Sequence, residues 1–318
     1  MVYLSRDDAI ELLDMESCIP LMVDTLKALS QKEATQVLRS VIPLGDRNVL
    51  GIMPATMDFL KLAGAKVITV FPGNFAKGLP SHQGVVLLFE TETGALKAVA
   101  DGDAITGIRT AACSAAATDA LARKDAKVLA ILGSGLQARA HLLAMRLVRR
   151  IEEVRVWDID VDSANRFKLE MEEAYGLPVT VCQTSREATA NADIVCTVTA
   201  AKSPILFGDS VKPGAHINAV GACSPDCREL DTAAVAKAKL FGDRRESALA
   251  EAGDLLIPVK EEALDLSHFL GELGDVLLGR IAGRTLDTDI TVFESLGLAV
   301  EDLASAEFIY ERYIRAHS

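Results

Sequence analysis

The chain has 318 residues, and a length above the roughly 100 to 200 residues of a single domain predicts two domains. Half of the residues are hydrophobic and a quarter are charged, which is typical of a folded globular protein and argues against disorder. The formal net charge is −12, no run of Lys and Arg is present, and only 5% of the residues are aromatic. Nucleic acids and anionic membrane surfaces are therefore disfavoured as partners.

The N-terminal segment turns acidic at Asp7-Asp8, before the apolar core of a signal peptide can form. No later run approaches the roughly 18 uncharged apolar residues of a membrane-spanning helix. We therefore expect a cytoplasmic protein. The six cysteines lie scattered in apolar segments without paired CxxC units, which predicts mostly reduced, buried thiols and no metal site.

The first part of the chain predicts helices followed by a β-rich unit. Apolar residues at helical spacing from Ser5 to Ser30 indicate one or two amphipathic helices. Short apolar runs punctuated by Gly, Pro, Asn and Asp then predict strands at 37–42, 49–53, 64–71, 83–90 and 96–100. From Asp103 to Leu121 the Ala-rich pattern predicts a helix.

After Lys124-Asp125 the pattern changes to alternating strands and helices. Strands are predicted near 127–132, 153–158, 178–182, 192–198, 215–220 and 238–242. This alternation is typical of a parallel, doubly wound sheet. A last helix at about 299–316 lies beyond this unit, and we expect it to pack on the first one.

A glycine-rich loop follows the first of these strands, in the run Gly133-Ser134-Gly135-Leu136-Gln137-Ala138. In this GxGxxA pattern Gly133 permits the tight turn, Gly135 lets the backbone approach a pyrophosphate, and Ala138 allows close packing of helix on strand. The N-terminus of the following helix, near Gln137, supplies amide donors and a positive dipole. The loop predicts a Rossmann dinucleotide site.

Asp158 ends the next strand, about twenty residues beyond the loop, where an acid can accept hydrogen bonds from the adenosine ribose. Such a carboxylate repels a 2′-phosphate, so NAD(H) is favoured over NADP(H) as cofactor. The alternative is a Rossmann sheet in which Asp158 is an ordinary turn residue. The predicted cofactor-binding residues are Gly133, Ser134, Gly135, Leu136, Gln137, Asp158, Thr199, Val220 and Gly221.

Several phrases together resemble the ornithine cyclodeaminase and mu-crystallin family, almost from end to end. They lie at 80–83, 101–102, 105–112 (Ile-Thr-Gly-Ile-Arg-Thr-Ala-Ala), 132–138, 216–221 (His-Ile-Asn-Ala-Val-Gly) and 292–302. The resemblance implies an α/β homodimer in which residues 121–297 form the Rossmann domain. A second α+β domain, for substrate binding and dimerisation, comprises 1–120 and 298–318. It also implies hydride transfer between nicotinamide and the α-carbon of an amino acid or its imine.

Three cations match family positions and are predicted to hold the substrate carboxylate. Arg39 and Lys66 lie within strand-like apolar runs where an unpaired charge is costly, and Arg109 precedes a helix of small residues. Without the resemblance, the better interpretation of each is a solvent-facing residue of an alternating strand.

Two further residues are predicted to act on the imine nitrogen. His82, in the Pro-Ser-His-Gln phrase, has a pKa suited to proton donation or hydrogen bonding, and its alternative is a structural histidine. Glu251 matches a family acid near the substrate nitrogen, and its alternative is an exposed glutamate at a helix end. With Lys66 and Arg109, these residues form the predicted catalytic set.

The informative departure from ornithine cyclodeaminases is Cys223, which stands where they carry an aspartate that works on the substrate amine. A thiol is a poor base unless its pKa is strongly lowered. Ketimine reductases resembling mu-crystallin have a small polar residue there, then the same Pro-Asp spacing and a later Arg-Glu-Leu-Asp, as at 228–231. We interpret Cys223 as lining the substrate pocket and Cys227 as a structural thiol.

The resulting hypothesis is NAD(H)-dependent reduction of α-imino acids, such as the cyclic ketimines pyrroline-2-carboxylate or piperideine-2-carboxylate, to L-amino acids. One alternative is an ornithine cyclodeaminase or an alanine-type amino-acid dehydrogenase. A second is a non-catalytic, crystallin-like protein that binds dinucleotide or another ligand, because function belongs to the site and not to the fold.

Overall fold

The computed structural model describes residues 1–46 and 48–318, without the side chains of Phe75 and Ala76. Its contacts divide the chain into two compact units, Met1–Arg109 with Gly297–Ser318, and Thr110–Leu296. The sequence places the first boundary after residue 120 instead. The difference arises because the second half of the helix that crosses this boundary contacts the second unit, where Ser114 meets His141 and Thr118 meets Asn218.

The first unit begins with a strand and two capped helices and continues into a sheet. Its strands, β1 to β7, are Val2–Leu4, Ala34–Gln36, Ser40–Gly45, Asn48–Met57, Leu62–Val70, His82–Glu90 and Leu96–Asp101. Its helices are α1 (Arg6–Leu12), α2 (Met15–Ser30) and the start of α3 (Gly102–Leu121), with single 3₁₀ turns at Asp58–Leu60 and Pro72–Lys77. Ser5 and Asp14 cap α1 and α2 with their side chains, which explains where these helices start.

Within the described residues this unit has a seven-stranded sheet with the order β1-β7-β6-β5-β4-β2, and β3 pairs with β4. All pairs are antiparallel except β1 with β7. The expected strand at 37–42 is wrong in its bounds, since residues 37–39 lie between β2 and β3. Arg39 is therefore not a strand residue, and its neighbours Val37 and Leu38 are exposed rather than buried.

The second unit alternates strands and helices as the sequence predicts. Its strands, β8 to β15, are Val128–Leu132, Glu153–Trp157, Val179–Val181, Ile194–Thr197, His216–Ala219, Ala238–Gly242, Phe269–Glu272 and Ile290–Glu294. Its helices, α4 to α10, are Leu136–Val148, Val161–Tyr175, Ser185–Thr189, Thr232–Ala236, Arg245–Glu251, Gly253–Lys260 and Leu273–Leu277. The last helix, α11 (Ala299–His317), belongs to the first unit and packs on β4, β5 and β6, as expected.

The strands of the second unit form a parallel sheet with the order β10-β9-β8-β11-β12-β15-β13-β14. The order reverses at β8, which places the glycine loop at the switch point where dinucleotides bind in such sheets. The sequence analysis missed β14 and β15, although β15 lies between β12 and β13 in the sheet. The expected fold class is confirmed: a Rossmann doubly wound unit with a second α+β unit.

In the part of the chain that the structure describes, no helix is both long and apolar enough to span a membrane. The thiols of Cys18, Cys182 and Cys196 are buried and free. Burial raises the pKa of both the Cys18 and the Cys196 thiol to about 12, so neither forms a thiolate near neutral pH.

Candidate functional site

Two of the predicted cations are buried together in the first unit. Lys66 lies in the middle of β5, between Met53 on β4 and Val86 on β6, on the sheet face that carries α11. Arg109 lies on α3, one turn after Thr106, and each cation is only 3% exposed. Since charges of this kind are almost never fully buried without partners, the first question is what pairs with them.

The partners are two consecutive carboxylates in the first turn of α11. Asp302 accepts from Arg109 Nε at 2.9 Å through Oδ1 and pairs with Lys66 Nζ at 2.8 Å through Oδ2. Glu301 Oε2 accepts from Arg109 Nη1 at 2.7 Å. Asp302 thus joins both cations, and the N-terminus of α11 favours its negative charge.

Arg39 adds a third positive charge at this site. Its Nη2 donates to the carbonyl of Gly297 at 3.2 Å, and its side chain is half-buried. Arg39, Lys66 and Arg109 thus bring three cations to one cluster, which Glu301 and Asp302 complete. A group of cations held together in this way suits the binding of a carboxylate anion.

Lys66 has an altered acidity because of its surroundings. Burial lowers the pKa of Lys66 to about 8; the carboxylate of Asp302 opposes the shift, and the charges of Arg109 and Arg39 add to it. Lys66 Nζ also lies 3.4 Å from Thr106 Oγ1, as a donor to it. At neutral pH Lys66 is mainly an ammonium, and it loses its proton around pH 8, so it can bind an anion and also supply a proton.

His82 lies at the start of β6, on the same sheet face as Lys66. The pairing of His82 with Val70, and of Val86 with Lys66, sets this arrangement. The residue keeps an exposed surface, and Nδ1 lies 2.9 Å from Ser81 Oγ. Desolvation by the surrounding protein lowers the pKa of His82; the charge of Asp103 opposes this shift and that of Lys66 adds to it. The imidazole is therefore neutral near pH 7 and able to form a hydrogen bond as donor or acceptor.

The glycine loop of the second unit has the geometry that a bound pyrophosphate requires. Gly133 has a φ of +109°, and a Cβ there would lie 2.8 Å from the carbonyl oxygen of Val198, so only glycine fits. A Cβ on Gly135, the residue before α4, would meet no atom within 4 Å. The open space at Gly135 therefore lies at a helix N-terminus and suits a phosphate group.

Asp158 directly follows β9 and is tied to the loop. Its Oδ2 accepts from Ser134 Oγ at 2.7 Å, and its Oδ1 accepts from the backbone of Asp160 at 2.9 Å. A carboxylate has about four acceptor positions, so these bonds leave capacity for ribose hydroxyls. The next residue, Ile159, is 91% exposed and presents an apolar side chain beside the carboxylate.

The remaining predicted residues also lie in the second unit. Thr199 follows β11, and Val220 and Gly221 follow β12, at the carboxyl edge of the sheet. Cys223 is half-buried and its Sγ lies 3.4 Å from the carbonyl of Val220. Glu251 ends α8 and is half-buried, so it is not the exposed helix-end residue of the alternative interpretation.

Sequence reasoning gave no role to the carboxylates that hold the cations. Glu301 and Asp302 lie within a phrase used only for the family resemblance. One signal in the sequence could have identified them: an acidic pair at the start of a helix whose first turns are otherwise apolar. Burying such carboxylates is costly unless a cation lies opposite them. Glu229, in the Arg-Glu-Leu-Asp phrase, was also given no role and is fully buried.

Comparisons with known proteins agree with this architecture. Residues 1–317 match the model of the ornithine cyclodeaminase/mu-crystallin family. Ketimine reductase mu-crystallin from Mus musculus is 42% identical over 279 residues, which cover 87% of this chain and 85% of that protein.

Two solved structures superpose over the whole chain. The Δ1-pyrroline-2-carboxylate reductase of Thermococcus litoralis, solved with NADH and L-proline, has a TM-score of 0.97 at 37% identity, with 100% of this chain and 98% of that chain covered. An archaeal alanine dehydrogenase dimer with bound NAD has a TM-score of 0.94 at 30% identity, with 100% and 97% covered.

Proposed function

Since this chain belongs to the ornithine cyclodeaminase/mu-crystallin family, we propose that it reduces α-imino acids with NADH, with cyclic ketimine carboxylates as its preferred substrates. Pyrroline-2-carboxylate and piperideine-2-carboxylate are the simplest of these, and their products are cyclic L-amino acids. The observation that carries the proposal is the cation cluster of the first unit, in which Lys66 and Arg109 are buried together and Arg39 lies beside them, so that several donors can hold one substrate carboxylate. Relatives named for the reduction of C=N bonds support the same chemistry.

The first unit binds the substrate in this proposal. Arg39, Lys66 and Arg109 hold its carboxylate, while Asp302 and Glu301 keep the last two side chains in place before substrate arrives. Such preorganisation matters because the site then needs little rearrangement on binding. Glu251 or His82 forms a hydrogen bond with the imine nitrogen or protonates it. Lys66 can also donate a proton near neutral pH, because its pKa is about 8.

The second unit binds the dinucleotide, which supplies the hydride when it is bound. The N-terminus of α4 faces the pyrophosphate, with Gly133, Ser134 and Gly135 forming the turn. Asp158 accepts hydrogen bonds from the adenosine ribose. The nicotinamide half lies beside Thr199, Val220 and Gly221. The reduction of an imine requires little else from the protein. Cyclodeamination, by contrast, requires a base at the position where this chain has Cys223.

The experiment that tests this function is NADH oxidation with a panel of substrates. Pyrroline-2-carboxylate and piperideine-2-carboxylate are compared with pyruvate plus ammonia or methylamine, and ornithine, lysine, proline and alanine are tested with NAD⁺. The expected result is a kcat/KM for a cyclic ketimine well above that for any keto acid with ammonia. Ammonia release from ornithine would instead identify a cyclodeaminase, and NADH binding without any turnover would identify a binding protein.

Asp158 sets the preference for NADH over NADPH in this proposal. Replacing Asp158 with Ser and Ile159 with Arg removes the repulsion of a 2′-phosphate and adds a guanidinium that binds it. We expect NADH affinity to fall about tenfold and NADPH affinity to rise about tenfold, each equivalent to ~1.4 kcal/mol. Fluorescence titration measures both affinities. The single variant Ile159→Ala serves as control, and an unchanged preference in the double variant would contradict this role of Asp158.

A homodimer is the assembly we propose. β3 is exposed along its whole length, and Val41, Ile42 and Leu44 are each about half exposed, as are Val37 and Leu38 just before it; such a concentration of exposed apolar residues is typical of interfaces. The superposed alanine dehydrogenase is itself a dimer. Native mass measurement is expected to give twice the 33.9 kDa of one chain. Ile42→Asp should shift it towards the monomer, and a monomeric unaltered protein would exclude the dimer.

We place the protein in the cytoplasm within the same proposal. The free, buried thiols of Cys18, Cys182 and Cys196 suit a reducing compartment. Its partners are then a small imino or amino acid and the dinucleotide, without nucleic acid or membrane. Cell fractionation followed by the NADH assay tests this, and activity in a secreted or membrane fraction would contradict it.

A further inference from the structure

Glu229 joins two loops of the second unit through a fully buried side chain. Its Oε1 accepts from the backbone N–H of Thr199 at 2.8 Å and from Thr199 Oγ1 at 2.5 Å. Its Oε2 accepts from the backbone N–H of Gly221 at 2.8 Å. One carboxylate therefore receives three hydrogen bonds from two segments that are about twenty residues apart in sequence.

These two segments lie side by side at the carboxyl edge of the parallel sheet. Thr199 lies two residues beyond β11, Gly221 lies two residues beyond β12, and the two strands are paired neighbours. β11 in turn pairs with β8, which leads into the glycine loop. An extended dinucleotide whose pyrophosphate lies at that loop places its nicotinamide half along the ends of β11 and β12.

The backbone that carries the Glu229 side chain is itself held in place. Asp254 Oδ1 accepts from the backbone N–H groups of Glu229 and Leu230 at 2.9 and 2.7 Å. Gly221 approaches so closely that a Cβ there would lie 2.6 Å from the Glu229 carboxylate. Neither loop can therefore move far without breaking a hydrogen bond in a buried setting, where such a loss is costly.

Two further buried carboxyl groups, Asp254 and Glu294, interact electrostatically with Glu229. Burial raises the pKa of Asp254 to about 8 and that of Glu294 well above its usual range, and neighbouring carboxyls add to both shifts, while the backbone hydrogen bonds that Asp254 accepts oppose its own shift. Burial also raises the pKa of Glu229, but the hydrogen bonds from Thr199 and Gly221 oppose that shift. The backbone N–H groups of Thr199 and Gly221 can only donate, so the two Glu229 oxygens that face them are acceptors.

We infer that Glu229 is a positioning residue that sets the spacing of the Thr199 and Gly221 loops and thereby seats the nicotinamide half of the dinucleotide. The inference rests on the proposed use of NADH, and it adds a residue that does not touch the cofactor. A glutamine at this position has only one acceptor oxygen, and its amide N–H would face the N–H of one of the two loops. One loop thus loses its hydrogen bond in the Glu229→Gln variant.

The test compares NADH with ADP-ribose, which lacks the nicotinamide. For Glu229→Gln we expect NADH affinity to fall at least tenfold while ADP-ribose affinity stays within about twofold of the unaltered protein, because the adenosine and pyrophosphate contacts are intact. Equal losses for both ligands, or no loss for either, would overturn the inference. Glu246→Gln, a matched change on an exposed glutamate of α8, should alter neither affinity.

A second variant covers the case in which Glu229→Gln does not fold. Thr199→Val removes the hydroxyl that donates to Glu229 and accepts from the backbone N–H of Ala201, and should weaken NADH binding several-fold without changing ADP-ribose binding. Because binding is measured without any imine, a failure of turnover contradicts the proposed reaction but not this inference. If the unaltered chain binds ADP-ribose but not NADH, both the proposed function and the inference are wrong.

Discussion

Replacing Lys66 with Ala is expected to lower kcat/KM for a cyclic ketimine carboxylate at least about a hundredfold, because truncating one partner of a buried charge pair costs 2–5 kcal/mol or more. In the proposed mechanism the variant loses both a cation that binds the carboxylate and a proton donor, and it leaves Asp302 with one cation fewer. NADH affinity should be unchanged, since Lys66 belongs to the first unit and the glycine loop to the second. Steady-state kinetics and NADH titration measure the two effects.

The matched control is Lys61→Ala, which removes an exposed lysine of the same unit. It should leave kcat/KM within about twofold, because exposed ion pairs contribute little. Undiminished activity of Lys66→Ala would remove Lys66 from the mechanism. A parallel loss of NADH affinity would show that the variant is misfolded, which a melting curve would also reveal.

The pH profile separates the two roles of Lys66. The ammonium form is present below its pKa of about 8, so kcat/KM should be level below that pH and fall as Lys66 loses its proton above it. In Lys66→Arg the charge persists at higher pH. That variant should still bind the product L-proline at pH 9; if it also turns over substrate, Lys66 serves as a charge and not as the proton donor.

Replacing Asp302 with Asn is expected to move this alkaline limit to lower pH. The carboxylate of Asp302 opposes the effect of burial on Lys66, so its removal lowers the pKa of Lys66 below about 8. The descending limb of kcat/KM should then begin at lower pH than in the unaltered enzyme. A limb that stays in place would show that Lys66 does not govern the profile.

The same variant should be less stable, because Lys66 and Arg109 lose a shared partner while buried, a change that costs about 3–5 kcal/mol. The pKa of Lys66 is about 8 in the folded chain and 10.5 in the unfolded chain, so the unfolded chain binds more protons between these two pH values. Lys66 therefore makes the free energy of unfolding rise with pH in that window. In Asp302→Asn the pKa of Lys66 in the folded chain is lower, so the free energy of unfolding begins to rise at a lower pH than in the unaltered protein. The stability deficit of the variant should therefore narrow as the pH rises towards 8.

Urea unfolding at several pH values measures this deficit. Glu311→Gln is the control on the same helix, since Glu311 is exposed and pairs only with Arg315 among the ion pairs the structure describes. It should change the free energy of unfolding by less than about 0.5 kcal/mol. A deficit in Asp302→Asn that is the same at every pH would contradict the coupling to Lys66.

The dinucleotide half of the molecule follows closely from local sequence. A buried strand, a loop with glycines at fixed spacing, a helix start and an acid after the next strand are all short-range features, and the structure has them in β8, the loop at Gly133, α4 and Asp158. Their physical basis is also local, because a φ of +109° and an open helix N-terminus depend on the chain itself. The sequence by itself therefore determined the fold class and the position of the glycine loop.

Other features were decided only by tertiary structure, because they join distant segments. Lys66 and Arg109 are identifiable as residue types, but their partner Asp302 lies at the other end of the chain. β15 was missed because it enters the sheet between β12 and β13, an order that no local pattern specifies. Glu229 gained a role only when two loops met at one carboxylate. Periodicity and motifs report local geometry, whereas the pairing of buried charges and the order of parallel strands depend on how the whole chain packs.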